Sequence, residues 1–127
     1  MPELMTPRIL LVDDNPIQAT TRRIILEKAG FQVTVAENGR EALDLLMAPS
    51  PFGLIITDHL MPEMNGPDLV REVRNRYMCI PIVVLSGLPD AEGAYQGLDV
   101  LFRLKPFPPE DLISITREIL PPLSRTA

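Results

Sequence analysis

Arg8-Ile9-Leu10-Leu11-Val12 is apolar after its first residue and runs straight into Asp13-Asp14-Asn15-Pro16. A strand with one wet face alternates apolar and polar residues, whereas a strand covered on both faces does not. The run therefore predicts a strand in a parallel sheet. Asn15 suits a helix cap and Pro16 the first helical position, so a helix is expected to start just beyond it.

The same unit recurs along the chain. Residues 32–36, 53–57, 80–85 and 100–104 read as four further strands. The first helix is expected to run from Pro16 to a stop at Gly30, with Ile17, Ile24, Ile25 and Ala29 inward. A second covers residues 39–47, with Ala42, Leu43, Leu45 and Leu46. Gly66-Pro67 opens a third, with Leu69, Val70 and Val73 inward. Pro108-Pro109 opens the last, with Leu112, Ile115, Ile119 and Leu123 inward, and Pro121-Pro122 ends it. Between the fourth and fifth strands, Gly87, Pro89, Gly93 and Gly97 disfavour a helix interior, which leaves a short or frayed helix over 90–96. Strictly alternating units predict an α/β fold, an open five-stranded parallel sheet with helices on both faces and right-handed crossovers. One domain is expected over 1–127, with its core over about 7–120 and mobile ends.

Composition narrows the function. The chain has 127 residues, 46% hydrophobic and 23% charged, as expected of a soluble globular domain. No apolar run approaches the ~20 residues of a membrane span, and the first residues lack the pattern of a secretory signal. Cys79 is the single cysteine, so no intramolecular disulfide can form, which suits a reducing cytoplasm. A net charge of −5 disfavours direct nucleic-acid binding, which depends on neutralising phosphates. Arg71, Arg74 and Arg76 read as an exposed helix flank, and Arg22 and Arg23 as solvated. Lysine is scarce, only Lys28 and Lys105.

In open parallel sheets the site lies at the carboxyl ends of the strands. Those ends carry Asp13-Asp14, Asp58, Ser86 and Lys105-Pro106. Three converging carboxylates repel one another, and a divalent cation removes the conflict. All-oxygen ligands suit Mg²⁺, or Mn²⁺, better than Zn²⁺. Lys105 adds a point charge and Ser86 a hydroxyl for an incoming anion. The set reads as a phosphoryl-transfer site with Asp58 as nucleophile, forming an acyl phosphate.

Four motifs carry a resemblance: Ile-Leu-Leu-Val-Asp-Asp-Asn (9–15), Asp-His-Leu-Met-Pro-Glu-Met-Asn-Gly (58–66), Val-Val-Leu-Ser-Gly (83–87) and Lys-Pro-Phe (105–107). Over roughly residues 7–120 the chain resembles the receiver domain of two-component response regulators, of flavodoxin-like fold. The resemblance implies strand order 2-1-3-4-5. It implies that Asp58 accepts phosphate from a sensor histidine kinase or a histidine phosphotransfer protein. Asp13, Asp14, Asp58 and the backbone carbonyl of Leu60 would hold Mg²⁺. Lys105 would pair with the phosphate across a cis Lys105–Pro106 peptide, Ser86 would move to bind the phosphoryl group, and Phe102 would turn inward with it as the aromatic switch. Leu60 and Leu88 match positions that tune dephosphorylation, and both are apolar here. The helix-1 surface bearing Arg22 and Arg23 contacts histidine-bearing helices in relatives.

The chain also departs from the pattern. Ser86 and Lys105 are 19 positions apart, a few fewer than the family usually has, which puts dimerisation through the fourth-helix face in question. The Ser-Gly start of that segment and the Lys-Pro-Phe-Pro-Pro-Glu-Asp-Leu stretch resemble receivers attached to hybrid kinases. With no output domain expected, signalling would pass to a downstream protein target, with neither nucleic acid nor membrane contacted. The enzyme alternative, a small Mg²⁺-dependent phosphatase with an aspartyl nucleophile, lacks a second acid at position 60. A flavodoxin-like cofactor carrier lacks a phosphate loop after strand one, and neither a Walker motif nor Gly-x-Gly-x-x-Gly is present. His59 reads as a partly exposed loop residue and Cys79 as inert.

Overall fold

The computed structural model describes residues 7–48, 52–77 and 79–120. Five strands, β1 (Arg8–Val12), β2 (Gln32–Ala36), β3 (Phe52–Asp58), β4 (Ile82–Ser86) and β5 (Leu101–Leu104), form one parallel sheet in the order β2-β1-β3-β4-β5. Helices α1 (Pro16–Lys28), α2 (Gly39–Met47), α3 (Gly66–Tyr77) and α4 (Pro109–Ile119) cover it. The sheet order and the α-helices on the first three crossovers agree with the sequence reading. The expected inward position of Leu123 and the expected mobile ends lie outside the described residues.

The side-chain period of two explains why β1, β3 and β4 carry continuous apolar runs. Leu10, Val12, Ile55 and Val84 point to one face, where Leu43, Leu46, Leu69, Val70 and Val73 of α2 and α3 close over them. Ile9, Leu11, Leu54, Ile56, Val83 and Leu85 point to the other, against Leu26 of α1 and Leu112 and Ile115 of α4. Two dry layers thus hold the central strands flat between them, and every central strand ends at the same edge.

The caps follow the sequence. Asn15 Oδ1 accepts from the backbone N–H groups of Ile17 and Gln18, and Asn38 Oδ1 from that of Glu41. Gly30 takes a positive φ of 101° after α1, a conformation suited to glycine.

Two expectations need correction. The inward face of α1 is carried by Ala19 and Leu26, while Ile17 is 78% exposed and Ile24 44% exposed. Ile25 and Ala29 are only partly buried against the second layer. The reason is steric: α1 lies close to β2 and α4, and the small Ala19 permits that approach where an isoleucine would not. β4 begins at Ile82 rather than Ile80, because Pro81 has no N–H to give the ladder and contributes only its carbonyl, to Ile55. The fourth crossover is short and irregular, as the sequence leads one to expect. Pro89–Tyr95 winds as a 3-10 segment, whose short turns tolerate Pro89 at the start and Gly93 inside.

That short crossover is fastened by Arg74, which is half-buried and not part of an exposed flank. Its Nε donates to the Leu98 carbonyl, Nη1 to that of Ile80 and Nη2 to that of Asp99, each at 2.7 Å. One guanidinium of α3 thereby satisfies carbonyls on both connections flanking β4. Arg74→Ala should lower the unfolding free energy by about 1–2 kcal/mol, since three charge-assisted bonds to carbonyls, two part-buried and one exposed, are lost. Urea denaturation measures it, and a loss within experimental error would show that water replaces the guanidinium at no cost.

Candidate functional site

The carboxyl ends of β1 and β3 bring Asp13, Asp14 and Asp58 together. Each offers a carboxylate oxygen, and the three lie within 4.8 Å of one another. Asp13 and Asp58 are buried and Asp14 is exposed. β5 delivers Lys105 directly after its last residue, and Lys105 Nζ sits 2.9 Å from Asp58 Oδ1. The Lys105–Pro106 peptide is cis, and Lys105 N–H donates to the Ser86 carbonyl at 2.8 Å, locking the two strand ends in register.

Ser86 lies at the neighbouring strand end but does not touch Asp58 here. Its buried hydroxyl oxygen accepts from the Leu88 N–H at 2.9 Å, and the hydroxyl donates to the Leu88 carbonyl at 3.3 Å. Leu60 is 64% exposed and Leu88 47% exposed, on the two loops that follow β3 and β4. Phe102 is partly buried, its ring 6.0 Å from that of Tyr95.

Two further residues join this region, one that the sequence reading had as solvated and one that it did not single out. Arg22 is not solvated: its side chain is 15% exposed, and Nη1 lies 2.9 Å from Asp13 Oδ2 and 3.2 Å from Asp58 Oδ1. The available signal was its position. Ala19, Arg22 and Leu26 stand three and four apart, so Arg22 falls on the buried stripe of α1. Tyr95, in the 3-10 segment, is buried, and its hydroxyl lies 2.7 Å from His59 Nδ1. Burial raises the Tyr95 phenol above its ordinary range and lowers the His59 imidazole. Both groups are therefore neutral near pH 7, and the bond between them takes its direction from the imidazole tautomer. Gly66 has no room for a side chain because the Tyr95 hydroxyl lies where a Cβ would go.

The electrostatics follow from crowding. Burial first, and then the hydrogen bond with Asp58, push Asp13 up from 3.8 to about 7; the Asn15 N–H and the Arg22 guanidinium act the other way. A hard, all-oxygen donor set with one exposed member fits Mg²⁺, which keeps several waters.

The raised value also carries a stability sign. Folded Asp13 holds its proton more tightly than the unfolded chain does, so its contribution is full below pH 3.8 and lost as pH rises through about 7. Without metal, Asp13→Asn should be more stable than the wild type by about 1–3 kcal/mol at pH 8, the gap closing toward pH 4. Denaturant melts across pH measure it, and a gap independent of pH would show that Asp13 takes up no proton in that range.

The comparisons with known proteins agree with this geometry. The family described as response regulator receiver domain matches residues 9–117. The chain is 41% identical over 111 residues to the sensor histidine kinase TmoS of Ectopseudomonas mendocina, covering 84% of this chain and 11% of that protein. It is 33% identical over 119 residues to the two-component response regulator ORR5 of Oryza sativa subsp. japonica, covering 90% and 89%. It spans about half the length of several other curated relatives. The signal receiver domain of a histidine kinase from Syntrophus aciditrophicus superposes with a TM-score of 0.82 at 35% identity, covering 96% of each chain. Among the described residues no helix is long and apolar enough to cross a membrane. With its five-stranded sheet, its acidic strand-end cluster and a family match over most of its length, the chain belongs to the receiver domains of two-component response regulators.

Proposed function

We propose that Asp58 is the phosphoacceptor of this chain, charged by a phosphohistidine on a sensor kinase or a histidine phosphotransfer protein. The observation that carries the reading is the environment of Asp58: buried, bonded to Lys105 Nζ at 2.9 Å, and clustered with Asp13 and Asp14. In the transfer, an Asp58 carboxylate oxygen forms a bond to phosphorus as the phosphorus–nitrogen bond breaks. The imidazole leaves and takes a proton from solvent. Lys105 is placed to meet the negative charge of the arriving group. Ser86 reaches that group only by giving up its bonds to Leu88, and Phe102 is the ring that follows into the space released.

Asp13, Asp14, Asp58 and the Leu60 carbonyl would hold Mg²⁺, or Mn²⁺. Bound there, the ion supplies charge neutralisation for the transferred phosphoryl oxygens. Phosphorylation would be catalysed by the pocket itself, with the partner supplying only the phosphohistidine. Output would pass through contacts with a downstream protein in the cytoplasm, not through nucleic acid or a membrane. Incubation with acetyl phosphate and Mg²⁺, followed by intact-mass analysis, tests the assignment. One phosphoryl group should appear on the wild type and none on Asp58→Ala. Labelling of both would move the acceptor elsewhere.

Leu60 and Leu88 present apolar side chains to solvent on the loops beside Asp58. Neither can orient or activate a water, so the acyl phosphate should hydrolyse slowly. The double variant Leu60→Asn, Leu88→Glu should shorten its lifetime on the order of tenfold, less than the ~10²–10⁴ of a fully positioned acid–base group. Loss of label after removal of the phosphodonor measures this, and an unchanged rate would discard the idea.

A further inference from the structure

The two buried carboxylates already have cations before any metal is considered. Arg22 Nη1 bridges Asp13 Oδ2 and Asp58 Oδ1, at 2.9 and 3.2 Å, and Asp58 Oδ1 also receives Lys105. The other oxygen of Asp13, Oδ1, accepts from the Asn15 N–H at 2.9 Å. Both oxygens of Asp13 are therefore engaged, one by backbone that cannot leave without unwinding the helix cap and one by a side chain that can. A divalent ion that ligates Asp13 and Asp58 comes within a few ångströms of the oxygens that Arg22 holds. A guanidinium and a dication at that spacing, beside two buried carboxylates, repel strongly.

Charge leads the same way. Arg22 and Lys105 offset two of the three carboxylates, so the pocket attracts a dication less than it would with Lys105 alone. The arginine is also not free to drift off: it sits between Ala19 and Leu26 on the stripe of α1 that packs on the sheet, and only its long stem is flexible.

We propose that Arg22 is a tethered counter-ion that competes with the divalent cation for Asp13 and Asp58. It satisfies the pocket in the resting state and must swing aside when the metal enters. It thereby raises the Mg²⁺ concentration at which Asp58 can be charged. This rests on the Mg²⁺ assignment above and adds to it a competitor supplied by the chain itself.

Calorimetric titration with Mg²⁺ at pH 8.5, above the range in which Asp13 takes up a proton, tests it. Arg22→Gln keeps most of the side-chain length and removes the charge; it should bind Mg²⁺ about tenfold more tightly than the wild type. Arg22→Lys keeps the charge and should stay closer to the wild type. Equal affinities for wild type and Arg22→Gln overturn the inference alone. No Mg²⁺ binding by either protein overturns the metal assignment and the inference with it. Arg22→Lys binding as tightly as Arg22→Gln also overturns it, because side-chain charge would then be irrelevant. Should Arg22→Gln fail to fold without metal, the wild type supplies the readout: the Arg22 Nε–H resonance should shift in step with Mg²⁺ saturation. A resonance that stays in place at saturation overturns the inference.

Discussion

Everything at the working edge of this molecule follows from one conflict: carboxylates that repel one another are held close and mostly out of water. A chain arranged for stability alone would separate them or exchange one for an apolar residue. Here β1 and β3 are adjacent in the sheet and end level with each other, so the positions after Val12 and Thr57 cannot be far apart. The conflict is built in by the register of the sheet, and its relief comes from cations. Lys105 arrives from the edge strand, Arg22 from a helix, and the donor set fits a magnesium ion beside them.

The apolar layers make that tension tolerable. Ile9, Leu11, Leu54 and Ile56 on one side and Leu10, Val12 and Ile55 on the other fix β1 and β3 from both faces. Electrostatic repulsion at the strand tips is small beside the burial of seven large side chains, each contributing about 1.5–3 kcal/mol. The anionic cluster therefore does not splay the sheet. Its energy is instead available to whatever neutralises it, which is how a buried acidic pocket turns the arrival of charge into a structural signal.

Much of this was legible in the sequence, for reasons particular residues make plain. The uninterrupted apolar runs of β1 and β4 signalled burial on both faces, and the strand ends then pointed to Asp13, Asp14, Asp58, Ser86 and Lys105. The pattern on α1 misled because Ile17, Ile24 and Ile25 outweigh Ala19 and Leu26 in hydrophobicity, while close packing favours the smaller residue. Arg22 was overlooked because an arginine on a helix reads as solvated, although its place between Ala19 and Leu26 was a signal; its second partner, Asp58, stands 36 positions away, a distance that helical periodicity does not report. Tyr95 was hidden for a related reason: its bond to His59 also spans 36 positions and depends on how the crossover winds. Arg74 looked like one of three exposed arginines, and only the fold shows that three carbonyls converge on it.

That convergence ties chain length to chemistry. Two of the carbonyls that Arg74 grips, those of Leu98 and Asp99, belong to the abbreviated passage into β5, and the third, that of Ile80, to the approach to β4. A longer passage borrowed from a relative would carry those two acceptors away and cost Arg74 two of the carbonyls it now serves. Transplanting the crossover and replacing position 74 are thus a single engineering operation, to be made together or not at all.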